Sequence, residues 1–540
     1  MTPEFMLRNP FRDQVTAGIF SKHGYIPMVD GFRGMLSALG KDKLYWDWVK
    51  AGGRYADFLA GDRKDITRTL KDYSNEPQVK ETIKKWGNPL TGLQKLSELM
   101  EVSTRISEFR RAKEAGLSDV AAANAAKDVT LNFGRHGYYG KVYNSISAFH
   151  NAKIQDISKF GRAQKERPVQ TNLKAMLYVT TPSLLLWWLG KDDPEIQDLP
   201  PWRRALFWNM NLKPLAEKAG VEMDDFIVSF PKPFLLGTIY GTAPEAALDL
   251  AYKKDPNAIA KFYDDLERHS PLPIDPLRTV TTKKMRESVG LHLEEGGIVN
   301  WDNAPTVLKP IIENSVNYDF FRGRLLESHG IQNLPAELRM GPHTSEVAKL
   351  LGAKTGYSPI KIDNAVHKIL AGLGRYGTDA LDYALVHSQI VDIPTPPKKM
   401  LRERPLFRAF AQSPYAANRQ VQEFYRGAEL MDQRLAAMKQ FGAHMGTKEQ
   451  KDYFAKNRME ILFYMAPTEL MGKETQMHKL ITEGRSDLGT ITRAMMFVQK
   501  NPKMSAEAKQ KRLIKLSEKR NKYAKGLVKL LHPNDYKRVR

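Results

Sequence analysis

The sequence predicts a mostly α-helical fold, built as irregular multi-helical bundles with long loops and at most a small β-hairpin. Along most of the chain, apolar residues recur at steps of three and four, which is the spacing of one face of an α-helix. Short β-like runs are scarce, and the two clearest are Ile227–Phe230 and Ile390–Ile393. The sequence shows neither the alternation of strands and helices that marks a parallel sheet nor a repeat of fixed period. Together these observations favour helices packed on helices.

Capping signals place the predicted helices. One helix is predicted in Ser97–Gly116, where the final glycine is a suitable stop, and Ser118 is a suitable N-cap for the alanine-rich run that follows. A long helix is predicted from Lys141 to about Gly161. Further helices are predicted at Val347–Gly352, Ser358–Leu373, Tyr376–Val386, Leu430–Phe441 and Gln450–Met465.

The segment Gly372–Gly377 matches the pattern G-x-G-x-x-G. A dinucleotide-binding fingerprint needs a strand before the first glycine, so that the turn presents backbone N–H groups at the start of a helix. Here a predicted helix comes first, and the glycines are therefore interpreted as a turn between two helices.

With 540 residues, of which 42% are hydrophobic, the chain is long enough for more than one core. The proline-rich run Pro394–Lys399 (PTPPKK) is the strongest linker candidate. Three regions are predicted: residues 6–170 form an N-terminal helical region, residues 171–393 a central loop-rich helical region with a tryptophan-rich apolar segment, and residues 394–540 a charged helical region with a basic amphipathic tail. Residues 1–5 (MTPEF) resemble a cloning-site scar in front of Met6, and we interpret them as vector-derived.

The longest apolar stretch is Ala175–Gly190, which has 16 residues and contains Pro182. Because a membrane-spanning helix needs about 20 apolar residues, we interpret the stretch as a buried core segment. Its tryptophans and those that follow are also candidates for aromatic side chains at a membrane interface, with core packing as the alternative. These candidates are Trp187, Trp188, Trp202 and Trp208.

The chain is strongly basic. Lys and Arg number 83 against 61 Asp and Glu, which gives a net charge of +22. Such an excess predicts attraction to a polyanion, whether nucleic acid, acidic lipid or an acidic protein, and its plain alternative is a solvated basic surface. Residues 500–540 hold 14 Lys and Arg against 3 Asp and Glu, which is half of the excess.

A basic amphipathic helix is predicted within this tail. Its apolar stripe comprises Leu513, Leu516, Tyr523, Leu527 and Leu530. The candidate polyanion-binding residues are Lys509, Lys511, Arg512, Lys515, Lys519, Arg520, Lys522, Lys525 and Lys529. Such a helix can follow a phosphate backbone, lie on an acidic membrane or dock on a partner, and alternatively its stripe packs on the core of this protein.

The sequence predicts no catalytic site, no cofactor and no metal. Because cysteine is absent, disulfides, thiol nucleophiles and cysteine-ligated metals are excluded. The patterns G-x-x-x-x-G-K-[ST], H-E-x-x-H and G-x-S-x-G are all missing, and no two of the 12 histidines stand at the spacing of helical metal ligands.

Eight stretches, taken in order, resemble the large polyvalent protein-associated domain of the thirty-eighth class, which occurs in very large proteins of tailed phages and prophages. The resemblance covers about Asn9 to Met431. The stretches are Asn9–Gly24, Arg33–Gly53, Arg105–Gly137, Asn144–Arg162, Thr181–Trp208, Phe230–Asp249, Thr344–Gly377 and Arg404–Phe410. The resemblance implies a mostly helical domain without assigned catalytic residues, in a parent protein that carries enzymatic domains elsewhere.

The resemblance also implies a place in the phage life cycle, akin to that of internal virion (ejection) proteins. We therefore expect a non-enzymatic structural or interaction module of a large virion-associated protein, which is delivered with phage DNA or aids its entry. The expected partners are phage DNA or another polyanion, other virion proteins, the host membrane surface and a second copy of the chain. The expected location is the virion, and after delivery the host envelope or cytoplasm. Two alternatives stay open, namely a nucleic-acid-binding protein that acts inside the host, and an enzyme whose site is assembled from residues far apart in sequence.

Overall fold

The computed structural model describes most of the chain. The described residues are 3–53, 89–130, 150–220, 227–254, 258–259, 262–263, 308–320, 322, 324–341, 343–370, 372–388, 394, 396–400, 404, 407–412, 420–425, 427–428 and 476–531. The predicted helices Leu430–Phe441 and Gln450–Met465 and the β-like run Ile390–Ile393 lie outside them.

The chain divides into two compact units, each assembled from separate stretches of sequence. Unit 1 comprises Met1–Ile312, His367–Gly374 and Leu401–Gln412, and unit 2 comprises Glu313–Val366, Arg375–Met400 and Ser413–Arg540. The division of the sequence into three consecutive regions stays a prediction.

The prediction of a mostly helical fold is confirmed. The first helices are α1 (Pro3–Phe20), α2 (Val29–Gly40), α3 (Lys43–Lys50), α4 (Pro89–Glu114), α5 (Asp119–Val129), α6 (His150–Glu166), α7 (Pro168–Ala175), α8 (Thr181–Gly190), α9 (Pro194–Gln197) and α10 (Pro201–Leu206). They are followed by α11 (Lys213–Lys218), α12 (Phe234–Gly237), α13 (Ala243–Tyr252), α14 (Leu308–Val316), α15 (His329–Gln332), α16 (Glu346–Thr355), α17 (Pro359–Ile369), α18 (Gly372–Ser388), α19 (Gln476–Lys500) and α20 (Ala506–Leu531). Short 3-10 turns lie at Ala336–Leu338 and Phe407–Ala409.

Several helix ends follow the predicted capping signals. The hydroxyl of Ser118 accepts a hydrogen bond from the backbone N–H of Ala121 and begins α5. Gly116, with a positive φ of 86°, lies just beyond the end of α4, in a conformation that glycine adopts without a steric penalty. The prediction for the glycine motif has to be corrected, because Gly372 begins α18 and Gly377 lies inside it. The predicted turn between helices is therefore wrong over these residues, although the element before Gly372 is a helix, as predicted.

Two small antiparallel sheets complete the secondary structure of the described residues. The first has the strand order β1–β2–β5, with β1 at Phe207–Asn211, β2 at Ile227–Pro231 and β5 at Ala411–Gln412. In this sheet Phe207 pairs with Pro231, and Ile227 pairs with Gln412. The predicted β-like run Ile227–Phe230 is thus confirmed as β2. The second sheet pairs β3 (Tyr318–Asp319) with β4 (Arg324–Leu325).

Unit 1 contains two main hydrophobic clusters. The first joins α2, α3, α4 and α5, and it surrounds the fully buried Trp48 and Phe109. Helices α2 and α4 approach closely at Gly34, since a Cβ atom placed there would lie 2.0 Å from the backbone oxygen of Ser103. The second cluster joins α1 to the residues around α7, β1 and α12 through Ile19 and Trp208, among others.

Two helical rods in unit 1 each contain a π-turn just before a proline. The first rod is α7, a π-turn at Met176–Thr180 and α8, and the second is α12, a π-turn at Thr238–Thr242 and α13. Pro182 and Pro244 occupy the first turn of α8 and of α13. A proline inside a helix lacks the N–H group and clashes with the carbonyl four residues earlier, so the wider turn accommodates it.

The core of unit 2 is formed by α19 and α20 together with residues 420–428. Phe424, Ile481, Leu488 and Leu527 are among its buried side chains. Helix α19 packs closely on α20 and on Phe424 at Gly484, where an added Cβ atom would lie 2.8 Å from atoms of both Phe424 and Leu527.

Candidate polyanion interface

Helix α20 begins with a complete N-terminal cap. The hydroxyl of Ser505 accepts a hydrogen bond from the backbone N–H of Ala508 at 3.2 Å, and Glu507 lies in the first turn, where a carboxylate complements the helix dipole. The helix has 26 residues, a length of about 39 Å at 1.5 Å per residue. It therefore offers a long, straight support for side chains.

The apolar stripe of α20 packs mainly on the core of its own unit. Leu513 and Leu527 are buried, Tyr523 is half-buried, and Leu530 is 53% exposed. The hydroxyl of Tyr523 donates a hydrogen bond to Asp487 Oδ2 at 2.6 Å, and this bond raises the pKa of Tyr523 to about 12. The structure thus agrees with the alternative in which the stripe serves packing, and only the opposite side of the helix is available to a partner.

The nine candidate basic residues fall into two groups. Lys511, Arg512, Lys515, Lys519, Lys522 and Lys529 are exposed, and Lys525 is half-buried. Lys509 and Arg520 are instead buried. The ammonium of Lys509 donates a hydrogen bond to the backbone oxygen of Gln499 at 3.0 Å, which satisfies a carbonyl at the end of α19. Burial lowers the pKa of Lys509 and lowers the pKa of Arg520 to about 10.

The positions of Lys509 and Arg520 around the helix indicate that they are buried, although their residue type does not. At about 100° per residue, Lys509 and Arg520 fall on the side of the helix that carries Leu513 and Leu527. Their long side chains lie along the apolar stripe, so the structure gives them a packing role. They are not part of the exposed surface.

Five exposed cations form a single stripe, which we call the basic face. It comprises Lys511, Arg512, Lys515, Lys519 and Lys522. At 3.6 residues per turn these positions lie within about 100° of the helix circumference and span about 16 Å along the axis. None of the five side chains forms a hydrogen bond or ion pair with another residue that the structure describes. The exposed carboxylate of Glu518 stands at the edge of the stripe.

The arrangement suits a partner with several regularly spaced anionic groups. Neighbouring cations of the basic face stand one helical turn apart, where like charges repel each other and an array of phosphates would relieve the repulsion. The face carries only Lys and Arg donors and no aromatic ring. Such a face contacts the phosphate backbone and does not read bases, so binding would be independent of nucleic-acid sequence.

The four candidate interfacial tryptophans have different environments. The indole N–H of Trp187 donates to Asp249 Oδ1 at 2.9 Å, and that of Trp208 donates to the hydroxyl of Ser183 at 2.7 Å. Both of these rings are buried, whereas Trp202 is half-buried and packs edge-on against Phe207. Trp188 is 52% exposed. Of the four indoles, that of Trp188 is therefore the one with a large part of its surface open to solvent.

Two titratable groups in unit 1, Asp13 and Lys159, have shifted pKa values and hydrogen-bond partners inside the protein. Burial raises the pKa of Asp13 to about 7, and this carboxylate accepts a hydrogen bond from Asn9 at 2.9 Å. Burial lowers the pKa of Lys159 to about 8, and its ammonium donates to the backbone oxygens of Val129 and Thr130. Burial causes both shifts, and the hydrogen bonds give each group a structural role.

The described residues contain no metal cluster, and unit 1 contains an apolar cavity. No group of three or more His, Asp or Glu side chains among them is placed to hold a metal ion. Unit 1 has a cavity of about 230 Å³ whose lining is apolar apart from one glutamine side chain. The lining residues are Leu7, Pro10, Phe11, Gln14, Met28, Met100, Phe230 and Phe410. The expectation that the chain is not an enzyme stays a prediction.

Comparison with known proteins gives one match. The family model described as large polyvalent protein associated domain 38 matches residues 193–407. No curated protein and no solved structure matches the chain. The family predicted from the resemblance is thus confirmed over a central part of the chain, and the basic face lies outside the matched residues.

Proposed function

Because residues 193–407 belong to the family of large polyvalent protein associated domain 38, which indicates a phage-associated large polyvalent protein, we propose that this chain is a non-enzymatic interaction module that binds phage DNA during its entry into the host. The binding element is the basic face of α20. The proposal locates the protein in the virion, and after delivery in the host envelope or cytoplasm. Its further partners would be other virion proteins and a second copy of the chain.

The observation that carries the proposal is the placement of five cations, none paired with a described residue, on one side of a helix whose other side is anchored in the core. A fixed helix loses little conformational freedom on binding, so each phosphate contact is gained at low entropic cost. Each contact also releases a condensed counterion, which makes the logarithm of the binding constant fall with the logarithm of the salt concentration by about 0.9 per phosphate. Engagement of the whole face would therefore give a slope of about −4.

A matched pair of variants tests the basic face. The face variant carries Lys511→Gln, Arg512→Gln, Lys515→Gln, Lys519→Gln and Lys522→Gln. The scattered variant carries Lys41→Gln, Lys50→Gln, Arg162→Gln, Lys165→Gln and Lys354→Gln, all at exposed positions; Lys41 directly follows α2 and the other four lie on α3, α6 and α16. Each variant removes five positive charges, so both have a net charge of 22 − 5 = +17. Any difference between them then reflects the position of the charges and not their number.

The measurement is the affinity for a fluorescent 25-base-pair duplex of random sequence across a series of salt concentrations. We expect the face variant to bind at least tenfold more weakly than the wild type at moderate salt, and its salt slope to be smaller by about 4. The scattered variant should keep most of the affinity and of the slope. If the two variants behave alike, or if the wild type does not bind DNA, the basic face is a solvated surface and the proposal is wrong.

A protein that acts on nucleic acid inside the host would use the same basic face, so the DNA-binding experiment supports both readings. Mass spectrometry of purified phage particles separates them. The proposal expects peptides from this chain in the particle at a fixed copy number. A protein that is made in the infected cell but absent from the particle would favour the intracellular alternative.

A further inference from the structure

The first helical rod of unit 1, formed by α7, its π-turn and α8, has two apolar sides. Its inner stripe points into the core and repeats at every fourth residue, at Thr171, Ala175, Val179, Ser183 and Trp187, all of which are buried. Its outer stripe lies between these positions and is exposed. The outer stripe comprises Val169, Leu173, Met176, Leu177, Leu185, Trp188 and Leu189.

The outer stripe groups many exposed apolar side chains on one surface, whereas exposed apolar residues on a soluble protein are usually isolated. Each of its seven side chains is at least 52% exposed, and Val169 reaches 71%. A helix that is apolar on all sides is normally buried completely, in a protein core or in lipid. Contiguous exposed patches of more than a few hundred Å² mark a binding surface on a soluble protein. The interpretation of Ala175–Gly190 as a buried core segment is therefore correct for one side of the helix only.

The ends of the rod carry the groups that suit the boundary between lipid and water. The α7 end is the basic one, since residues 162–174 contain four basic residues and one acidic one, whereas residues 191–198 contain one basic residue and four acidic ones. Among these carboxylates, Glu166 is paired with Lys22 and Asp192 with Lys191. At the α8 end, the ammonium of Lys191 lies 4.8 Å from the centre of the Trp188 ring, and Tyr252 packs edge-on against the same ring. Aromatic rings beside cations are typical of the headgroup level of a membrane.

The charge of the chain also indicates which partner would cover the outer stripe. Between Pro168 and Gly190 the rod contains no carboxylate, and its one charged residue is Lys174. A second copy of the chain would bring another net charge of +22 to the same surface, and this repulsion opposes self-association. An anionic lipid surface offers apolar contact and opposite charge together.

We propose that the outer stripe of this rod docks in the headgroup region of an anionic lipid bilayer, with the rod lying in the plane of the membrane. A lengthwise position fits the absence, among the described helices, of any that is long and apolar enough to cross a membrane. Docking would bury the aliphatic side chains at the boundary of the acyl chains and leave the inner stripe in the protein core. The outer stripe and the basic face of α20 share no residue, so this inference does not depend on DNA binding.

The test is flotation of the full chain with vesicles of phosphatidylcholine and phosphatidylglycerol in a seven-to-three ratio. The rod variant carries Leu177→Ser, Leu185→Ser and Trp188→Ala. The control variant carries Leu351→Ser, Leu381→Ser and Phe497→Ala, which are exposed apolar residues on α16, α18 and α19. All six side chains are exposed, so we expect both variants to fold, which circular dichroism and thermal melting check.

We expect the partition coefficient of the rod variant to be at least tenfold lower than that of the wild type, and that of the control variant to be within twofold of it. Vesicles of phosphatidylcholine alone should bind the wild type more weakly. The rod variant should bind duplex DNA as the wild type does. The inference is overturned if the wild type does not float with anionic vesicles, or if both variants lose binding equally. It is also overturned if the wild type is a dimer and the rod variant a monomer, because the stripe would then contact a second copy.

Discussion

At the scale of single residues, the clearest energetic feature is a buried ion pair in unit 1. The ammonium of Lys232 lies 2.7 Å from both carboxylate oxygens of Glu245, and its side chain is 1% exposed. Burial raises the pKa of Glu245, and the positive charge of Lys232 is the main influence that lowers it again. The pair ties β2 to α13 across the second rod, and the loss of one partner would leave a buried charge without compensation.

Lys232→Met should therefore reduce the free energy of unfolding by about 3 to 5 kcal/mol at pH 7.5. The matched control is Lys22→Met, which removes the exposed pair with Glu166 at 2.8 Å and should leave the free energy of unfolding nearly unchanged, because solvent screens the pair. Chemical denaturation of both variants measures the difference. The loss in Lys232→Met should shrink as the pH is lowered, because burial raises the pKa of Glu245 and its carboxylate takes up a proton more readily. Equal effects of the two substitutions would show that the buried pair is not a specific stabilising contact.

Glu108 leads to a prediction about pH. It is 2% exposed, and burial raises its pKa from 4.5 to about 7, with Ser21, Lys174 and Lys159 acting in the opposite direction and Asp30 in the same one. Because the pKa is higher in the folded state, the folded protein binds the proton more tightly. The stabilising contribution is complete below the unfolded pKa and is lost as the pH rises through about 7.

Glu108→Gln should flatten the pH dependence of stability. We expect the melting temperature of the wild type to fall between pH 5 and pH 8, and the variant to lose a clear part of that fall, because glutamine does not ionise. Glu114→Gln, at a side chain that is 53% exposed, is the control and should leave the profile unchanged. A profile of Glu108→Gln that matches the wild type would contradict the assignment of the titration to Glu108.

At the scale of elements, the two rods show how a proline is accommodated inside a helix. In the second rod, the carbonyl of Tyr240 is four residues before Pro244, which has no N–H group to donate. The hydroxyl of Thr180, from the π-turn of the first rod, donates to this carbonyl at 2.7 Å. The carbonyl that Pro244 cannot serve thus receives a hydrogen bond from the other rod, and this bond joins the two π-turns.

Thr180→Val keeps the shape of the side chain and removes this donor. We expect a loss of about 1 to 3 kcal/mol in the free energy of unfolding, which is the usual cost of a carbonyl left unpaired away from water. Thr355→Val is the matched control, since its hydroxyl donates at 2.7 Å to the carbonyl of Leu351 within the exposed end of one helix. A loss as small as that of the control would show that water reaches the Tyr240 carbonyl.

The elements also show what the sequence can and cannot predict. The cap at Ser118, the stop at Gly116 and the strand β2 were predictable because each depends on neighbours in the sequence. Strand β5 was not, because two residues at 411–412 pair with a strand that precedes them by about 180 positions and carry no local signal. The exposed outer stripe of the first rod was missed for a related reason, since a helix that is apolar on all sides does not indicate which side is buried.

At the scale of the whole molecule, the candidate polyanion site was predictable as a region and less so as a set of residues. The concentration of charge in residues 500–540 is visible in the composition. Which cations reach solvent depends on the phase of α20 against α19, and this phase places Lys509 and Arg520 inward. The sequence therefore identifies a basic helix, and packing decides that Lys509 and Arg520 do not belong to its exposed surface.

The excess charge of the molecule leads to a last prediction, which concerns stability instead of binding. Adjacent cations of the basic face stand about 6 Å apart along the helix, where two unit charges in water repel each other by roughly 0.7 kcal/mol before screening. The face variant should therefore be more stable than the wild type by about 1 to 2 kcal/mol at 10 mM salt, as several such pairs are relieved. The scattered variant should gain less, because only two of its five charges, Arg162 and Lys165 on α6, stand one helical turn apart.

Urea denaturation of the three proteins at 10 mM and 500 mM salt measures this difference. At the higher concentration the Debye length is a few ångströms, so the advantage of the face variant should disappear. That pattern would mean that the folded chain retains the repulsion in the absence of a partner and that a polyanion relieves it on binding. A face variant that gains no stability at low salt would mean that the solvent already screens these charges, and the affinity for DNA would then have to arise from counterion release alone.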